Sequence, residues 1–325
     1  MKKTIASLAG VLTLTLGLTA CADGGSNDQP ADGNIKIVAS TSVWGDIAKA
    51  VAGDAENVEV VNILSSTNDD PHEYEATARD LATISEADVV VGNGGGYDNW
   101  LTDHVEDGTP LITAEPLAAA HNHGHGEHGH DHDHEHGHGE EHGHDHEHAG
   151  EGHNHGAAFE NDTHSWMSMD KVDDFADKLA EELHKLDDTI SEDADKTVTD
   201  KTEAISERVD KLKKADYILT EPVGYHLIAD SALHDVTPAG FAQAIASEAE
   251  PSAADIAAAQ KVINDGDVQV LITNEQSQTP ASQELIRAAK DKDVAVINVN
   301  ETPDTGDSYF DYVDKFLSEL ETATK

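Results

Sequence analysis

Residues 87–96 read Ala87-Asp88-Val89-Val90-Val91-Gly92-Asn93-Gly94-Gly95-Gly96. Three consecutive valines suit a short strand buried on both faces, and the glycines behind them let the backbone turn sharply. On either side the apolar spacing becomes helical, at residues 76–85 before the run and at 97–105, with Trp100, after it. Further strands are expected at 35–39, 58–64 and 110–113, with a helix at 43–51 that stops at Gly53. Strands alternating with helices build a parallel sheet covered by helices on both faces.

Beyond residue 164 the pattern turns helical. Val172, Phe175, Leu179, Leu183 and Leu186 fall at helical spacing, and residues 191–214 continue as a highly charged helix with few apolar positions. So lightly hydrophobic a helix suits a spine between lobes better than a core element. Alternation then resumes, with strands at 217–220, 268–273 and 294–299 and helices at 224–233, 251–264, 281–291 and 309–320. The fold class is α/β: two parallel-sheet lobes joined by a long helix. The expected division is a signal peptide at 1–20, a leash at 21–33, a first lobe at 34–186, a linking helix at 187–214 and a second lobe at 215–325.

Late in the first lobe lies a tract, residues 121–155, with fifteen histidines and nine acidic residues in thirty-five positions. The histidines are His121, His123, His125, His128, His130, His132, His134, His136, His138, His142, His144, His146, His148, His153 and His155. The tract has no Val, Ile, Leu or aromatic residue, so its composition predicts a disordered loop. Neutral imidazole is the commonest side-chain ligand for zinc and its neighbours, and many imidazoles on a tether make an auxiliary collector of such ions. The bland alternative is a solvated acidic spacer.

Twenty basic against 65 acidic residues give the chain a formal charge of −45, which argues against binding nucleic acid or an anionic membrane surface. Met1-Lys2-Lys3 and the apolar residues 5–20 form a short leader, and Leu18-Thr19-Ala20-Cys21 matches a bacterial lipoprotein cleavage site. Cys21 is the only cysteine, so a disulfide within the chain and a cysteine-zinc site are both excluded. The expectation is a monomer, lipid-anchored through Cys21 on the outer face of the cytoplasmic membrane.

Outside the tract, three candidate metal ligands stand at strand-to-helix junctions, where ligands of open α/β sheets bind. His72 follows Pro71 beyond the second strand, His164 opens the helix after the tract, and Glu221 ends the strand at 217–220. Singly, each has an ordinary reading: a loop or capping histidine, the last of a histidine-rich run, a surface acid.

Taken in order, Asp70-Pro71-His72-Glu73-Tyr74-Glu75, the strand end Ala87 to Gly94 and Asp98-Asn99-Trp100-Leu101 resemble the first lobe of the zinc/manganese solute-binding proteins of ABC importers. A histidine-rich acidic loop before the second ligand histidine is frequent among the zinc members. The resemblance covers nearly the whole mature chain and implies one divalent ion, Zn2+ or else Mn2+, held as cargo between two lobes. It also implies an ABC permease and its ATPase as partners.

Carried over, His72 and His164 match the two metal histidines, although Asp162-Thr163 stands where the family usually has Asn/Asp-Pro. Glu221 falls where zinc members often have a third histidine and manganese members a glutamate. The family's fourth ligand, an aspartate, is expected after the strand at 268–273, where Glu275 is the nearest carboxylate and Gln276 or a water its substitute. Glu221-Pro222-Val223-Gly224-Tyr225, with Asn274-x-Gln276 and Glu301-Thr302-Pro303, is similar to one subgroup, which makes Glu301 an outside candidate for lining the cleft. Zinc ranks first because it binds more tightly than manganese in general and because the tract is rich in imidazole. Two competing classes remain: a surface metal buffer or adhesin acting through the tract, and a zinc hydrolase. Neither an HExxH helix nor a Gly-x-Ser-x-Gly elbow supports the hydrolase, and the expectation is that the chain is not an enzyme.

Overall fold

The computed structural model describes residues 33–68, 70–118, 158–159 and 162–325. The leader, Cys21 and the tract at 121–155 lie outside the described residues. Strands β1 (Ile35–Thr41), β2 (Val58–Leu64), β3 (Val89–Gly92) and β4 (Leu111–Thr113) form one parallel sheet in the order β2-β1-β3-β4. The valine run is β3, fully buried between β1 and β4, as a strand covered on both faces must be. Helices α1 (Ser42–Ala52), α2 (Ala78–Ile84) and α3 (Asn99–Thr102) connect these strands.

After helices α4 (Met169–Leu186) and α5 (Lys196–Val209), the second lobe repeats the plan. Its strands are β5 (Asp216–Leu219), β6 (His234–Asp235), β7 (Val270–Thr273) and β8 (Ala295–Asn298), parallel in the order β6-β5-β7-β8. Its helices are α6 (Tyr225–Ile228), α7 (Ala239–Ala246), α8 (Ala253–Asp265), α9 (Pro280–Asp291) and α10 (Tyr309–Ala323). In both sheets the strand order reverses between the first and third strands, and there the carboxyl ends open a crevice.

The linking segment is a helix pair rather than one continuous rod. Turns at 188–189 and 192–195 separate α4 from α5, so the helix expected at 191–214 is shorter, at Lys196–Val209. Its few apolar residues, Val198, Ile205 and Val209, are buried in a cluster that also holds Trp44 and Ile47 of α1 and Phe316 of α10. The spine is thus packed against both lobes. Arg208 of α5 donates to Glu321 of α10 at 2.8 Å, and Tyr309 of α10 donates its hydroxyl to the Trp166 carbonyl at 2.6 Å.

Two elements escaped the sequence reading. The helix expected at 224–233 is a 3-10 turn, Pro222–Gly224, followed by the single turn of α6, and β6 and α7 then follow. Elements of two to eight residues are too short to display a period, which needs a window of about eleven. Among the described residues no helix is long and apolar enough to cross a membrane.

Candidate metal centre

The first-lobe motifs act as braces for two loops. Between β2 and α2 the chain carries Pro71 and His72, and the Trp100 indole at the start of α3 donates to the Pro71 carbonyl at 3.1 Å. The Tyr74 ring meets Trp100 edge-on, with centroids 4.9 Å apart. Within the loop, the His72 backbone N–H donates to Asp70 Oδ1 at 3.0 Å. Trp100 thereby fixes the peptide beside His72.

Asn93, directly after β3, does the same for His164. Its side-chain amide donates to the Thr163 carbonyl at 2.8 Å. Asp98 in turn accepts the backbone N–H groups of Asn93 (2.7 Å) and Gly94 (2.9 Å), which shapes the turn. Gly94 has φ +75°, and a Cβ there would lie 2.3 Å from the Glu115 carbonyl oxygen, so glycine is required. Replacing Asn93 by Ala releases the His164 loop from β3, and metal affinity is expected to fall about tenfold, as for other groups that orient a ligand. Chelator competition measures this, and an unchanged affinity would show that the brace is dispensable.

His164 precedes a 3-10 turn, Ser165–Met167, and is 3% exposed. Its Nδ1 lies 2.7 Å from Asp162 Oδ1 and its Nε2 lies 3.1 Å from Glu301 Oε1. Burial opposes a charged ring, but Glu301 and Asp162 outweigh it and hold the His164 pKa well above the usual histidine value. His72 is placed similarly, with Nε2 3.8 Å from Glu301 Oε2 and Nδ1 3.2 Å from Glu248 Oε1. Burial again opposes protonation there, and Glu248 and Glu301 together raise the pKa.

Glu221 follows β5, and its carboxylate accepts the Ser277 hydroxyl from the loop after β7. Burial, then the nearby charge of Glu301, push its pKa up to about 7. Glu301, fully buried beyond β8, is the hub of the site. It accepts from the Tyr97 hydroxyl at 3.0 Å and from the Asn274 amide at 3.0 Å, besides facing both histidines. Burial pushes its pKa up, but the two imidazoles and Tyr97 prevail and hold it below the usual carboxylate value.

The structure therefore brings His72, His164, Glu221 and Glu301 together, each offering one ligand atom, all within 4.8 Å of one another. Four donors around a tetrahedral zinc stand roughly 3.4 Å apart, given bonds of about 2.0–2.1 Å. A contraction of no more than about 1.4 Å in any pair would bring the set to that spacing. Beside these side chains is a cavity of about 50 Å³, bounded by His72, Asp162, His164 and Glu221.

Glu275 is not among the four, and Glu301 takes the fourth place in the cluster. Glu275 is exposed, and its backbone N–H is committed to Asn298 Oδ1 (2.7 Å) and Asn300 Oδ1 (3.2 Å) at the end of β8. Gln276 is no substitute, because its Oε1 accepts the backbone N–H groups of Glu301 (3.1 Å) and Thr302 (3.3 Å). The loop after β7 supports the fourth carboxylate; the loop after β8 carries it. His226 likewise lies outside the cluster, its Nε2 2.9 Å from the Asp162 carbonyl oxygen.

A family described as "ZnuA: Zinc-uptake complex component A periplasmic" matches residues 37–323. The chain belongs to the ZnuA family. Over 219 residues it is 27% identical to the manganese ABC transporter substrate-binding lipoprotein PsaA of Streptococcus pneumoniae. It is 26% identical, also over 219 residues, to the metal ABC transporter substrate-binding lipoprotein FimA of Streptococcus parasanguinis. Each match covers 66% of this chain and 62% of the relative's own length. In fold it is similar to the laminin-binding protein of Streptococcus agalactiae, described as bifunctional with adhesin and metal-transporting activity. The TM-score is 0.64 at 17% identity, over 90% of this chain and 100% of that one. The ZnuA family and these relatives are substrate-binding proteins and not enzymes, so the hydrolase alternative falls away.

Proposed function

We propose that this chain is the extracytoplasmic receptor of an ABC importer, with Zn2+ as its first cargo and Mn2+ as its second. Lipidated Cys21 anchors the monomer to the outer face of the cytoplasmic membrane, and the loaded receptor delivers its ion to a permease driven by a separate ATPase. The observation that carries this reading is the cluster itself: two imidazoles from one lobe and two carboxylates from the other, converging on one point. Ligands divided in this way let the ion draw the lobes together, and a closed form gives a permease something to recognise.

The donor set suits a closed four-coordinate zinc site, and manganese would need added oxygen ligands, from water or a second carboxylate oxygen. Zinc ranks first for that reason and for its greater intrinsic affinity. The family description points to zinc, and the PsaA relative is named for manganese. In this reading the histidines of the 121–155 tract collect ions at many weak sites and pass them to the cleft.

Calorimetry on the full chain and on a chain lacking residues 121–155 tests both parts. The deletion is expected to keep one tight site, binding zinc more tightly than manganese, and to lose a set of weaker sites. If the shortened chain binds no metal tightly, the protein is instead a surface buffer or adhesin acting through the tract.

A further inference from the structure

Each histidine of the centre shows one ring nitrogen to Glu301 and the other to a further carboxylate. For His164 that carboxylate is Asp162, buried and two residues away on the same loop. For His72 it is Glu248, whose Oε1 lies 3.2 Å from Nδ1 and which comes from the opposite lobe. The two supports differ in kind: Asp162 stays beside its histidine in any arrangement of the lobes, whereas Glu248 reaches His72 only across the seam.

The backbone at Glu248 is a second, independent observation. Helix α7 ends at Ala246, and the N–H groups of Glu248 and Ala249 return to the carbonyls of Ile245 (3.1 Å) and Ala244 (2.9 Å). This is the Schellman ending, whose left-handed residue is usually glycine. Here it is Glu248, at φ +53°. Closing the helix gives no reason for a glutamate in that conformation, and such outliers gather where a side chain has another task. Glu248 borders both the 50 Å³ cavity beside the four ligands and a larger one of about 490 Å³ next to it, where the cleft widens.

We propose that Glu248 is a positioning residue for His72, supplied by the second lobe, so that the grip of His72 on the ion depends on the lobes being closed. The Nδ1–H donates to the carboxylate, which fixes the tautomer that leaves Nε2 free for the metal and makes that nitrogen more basic. When the lobes part, His72 loses this support and His164 does not. His72 is then the arm that lets go first. The inference rests on the cleft being the metal site.

The test uses the full chain loaded with Zn2+, following release into excess chelator and taking the slowest phase, together with metal-free melting. Glu248→Gly is expected to speed that release about ten- to a hundredfold, the usual effect of losing a group that orients a metal-bound histidine. The metal-free melting temperature should stay level or rise, because glycine suits the helix end. Glu248→Gln keeps an oxygen for Nδ1–H and should recover most of the slow release. Unchanged release in Glu248→Gly, or equally fast release in Glu248→Gln, overturns the proposal. His72→Ala is the control. If it retains the slow phase, the cleft reading itself fails; if it loses that phase while Glu248→Gly does not alter it, only the role of Glu248 is wrong.

Discussion

Glu301→Gln is expected to lower zinc affinity roughly 10²–10³-fold. Zinc sites of four ligands bind with about 10–16 kcal/mol, so one ligand accounts for about 2.5–4 kcal/mol. Glutamine nearly preserves the volume, but Tyr97 and Asn274 donate to different oxygens of Glu301, so one of the two donors loses its acceptor. The charge goes as well. The metal-free protein is affected too, because Glu301 is the anion between two histidines that it holds in their charged form. Without it His164 loses one of its two close carboxylate contacts and keeps Asp162, so its pKa should fall. Removing one partner of a buried pair costs about 3–5 kcal/mol when the other stays charged, but an imidazole can shed its proton and escape much of that. Binding should therefore suffer more than folding. Chelator competition and melting on the same sample separate the two, and a variant that still binds zinc at the original affinity would remove Glu301 from the centre.

The difficulty of reading Glu301 from sequence has a physical origin. His72, His164 and Glu221 could be marked because each follows a strand end or opens a helix, and the strands themselves are plain in runs such as Val89-Val90-Val91. The same rule applied to the second lobe offers two adjacent strand ends, β7 and β8. The family resemblance points to the first, which makes Glu275 the expected fourth ligand and Glu301 only an outside candidate. Only the fold reveals the division of labour, in which Asn274 and Gln276 spend their side chains holding Glu301 and its backbone. Thr163 is the departure from the family pattern, whereas Asp162, which keeps it, is the partner of His164 Nδ1. Glu248 belongs to no motif, and its helix of eight residues was invisible to a periodicity argument. The four clustered side chains lie in loops that follow strands or precede helices. The groups that orient them are set by contacts between distant segments, which no local pattern records.

Zinc affinity should fall roughly 10²–10³-fold as pH is lowered from about 8 to about 6. In the metal-free centre His164 titrates well above the ordinary histidine value, Glu221 at about 7, and His72 is also raised. The ion needs neutral imidazoles and an ionised carboxylate, so protons on these three groups compete with it. Each group costs about tenfold in affinity per pH unit below its own pKa. Glu221 acts over the lower half of this interval, and the two histidines, both raised above the ordinary imidazole value, add to it. Glu301 takes no part, since its pKa is lowered and it remains ionised throughout. Stability of the metal-free protein follows the opposite course. Groups whose folded pKa is raised stabilise the fold fully below their unfolded pKa, near 4.5 for Glu221 and 6.5 for the histidines, and lose that contribution as pH rises through the folded values. The zinc-bound form needs none of those protons. The rise in melting temperature caused by zinc should therefore widen from about pH 6 to about pH 8, over the same interval in which affinity grows. Calorimetry in buffers of different ionisation enthalpy counts the protons released, and near pH 6 it should find two to three on zinc binding, by the same linkage. A zinc affinity that is flat across this range would mean that the imidazoles and Glu221 are not what the ion displaces protons from, and the cleft would lose its claim to the metal.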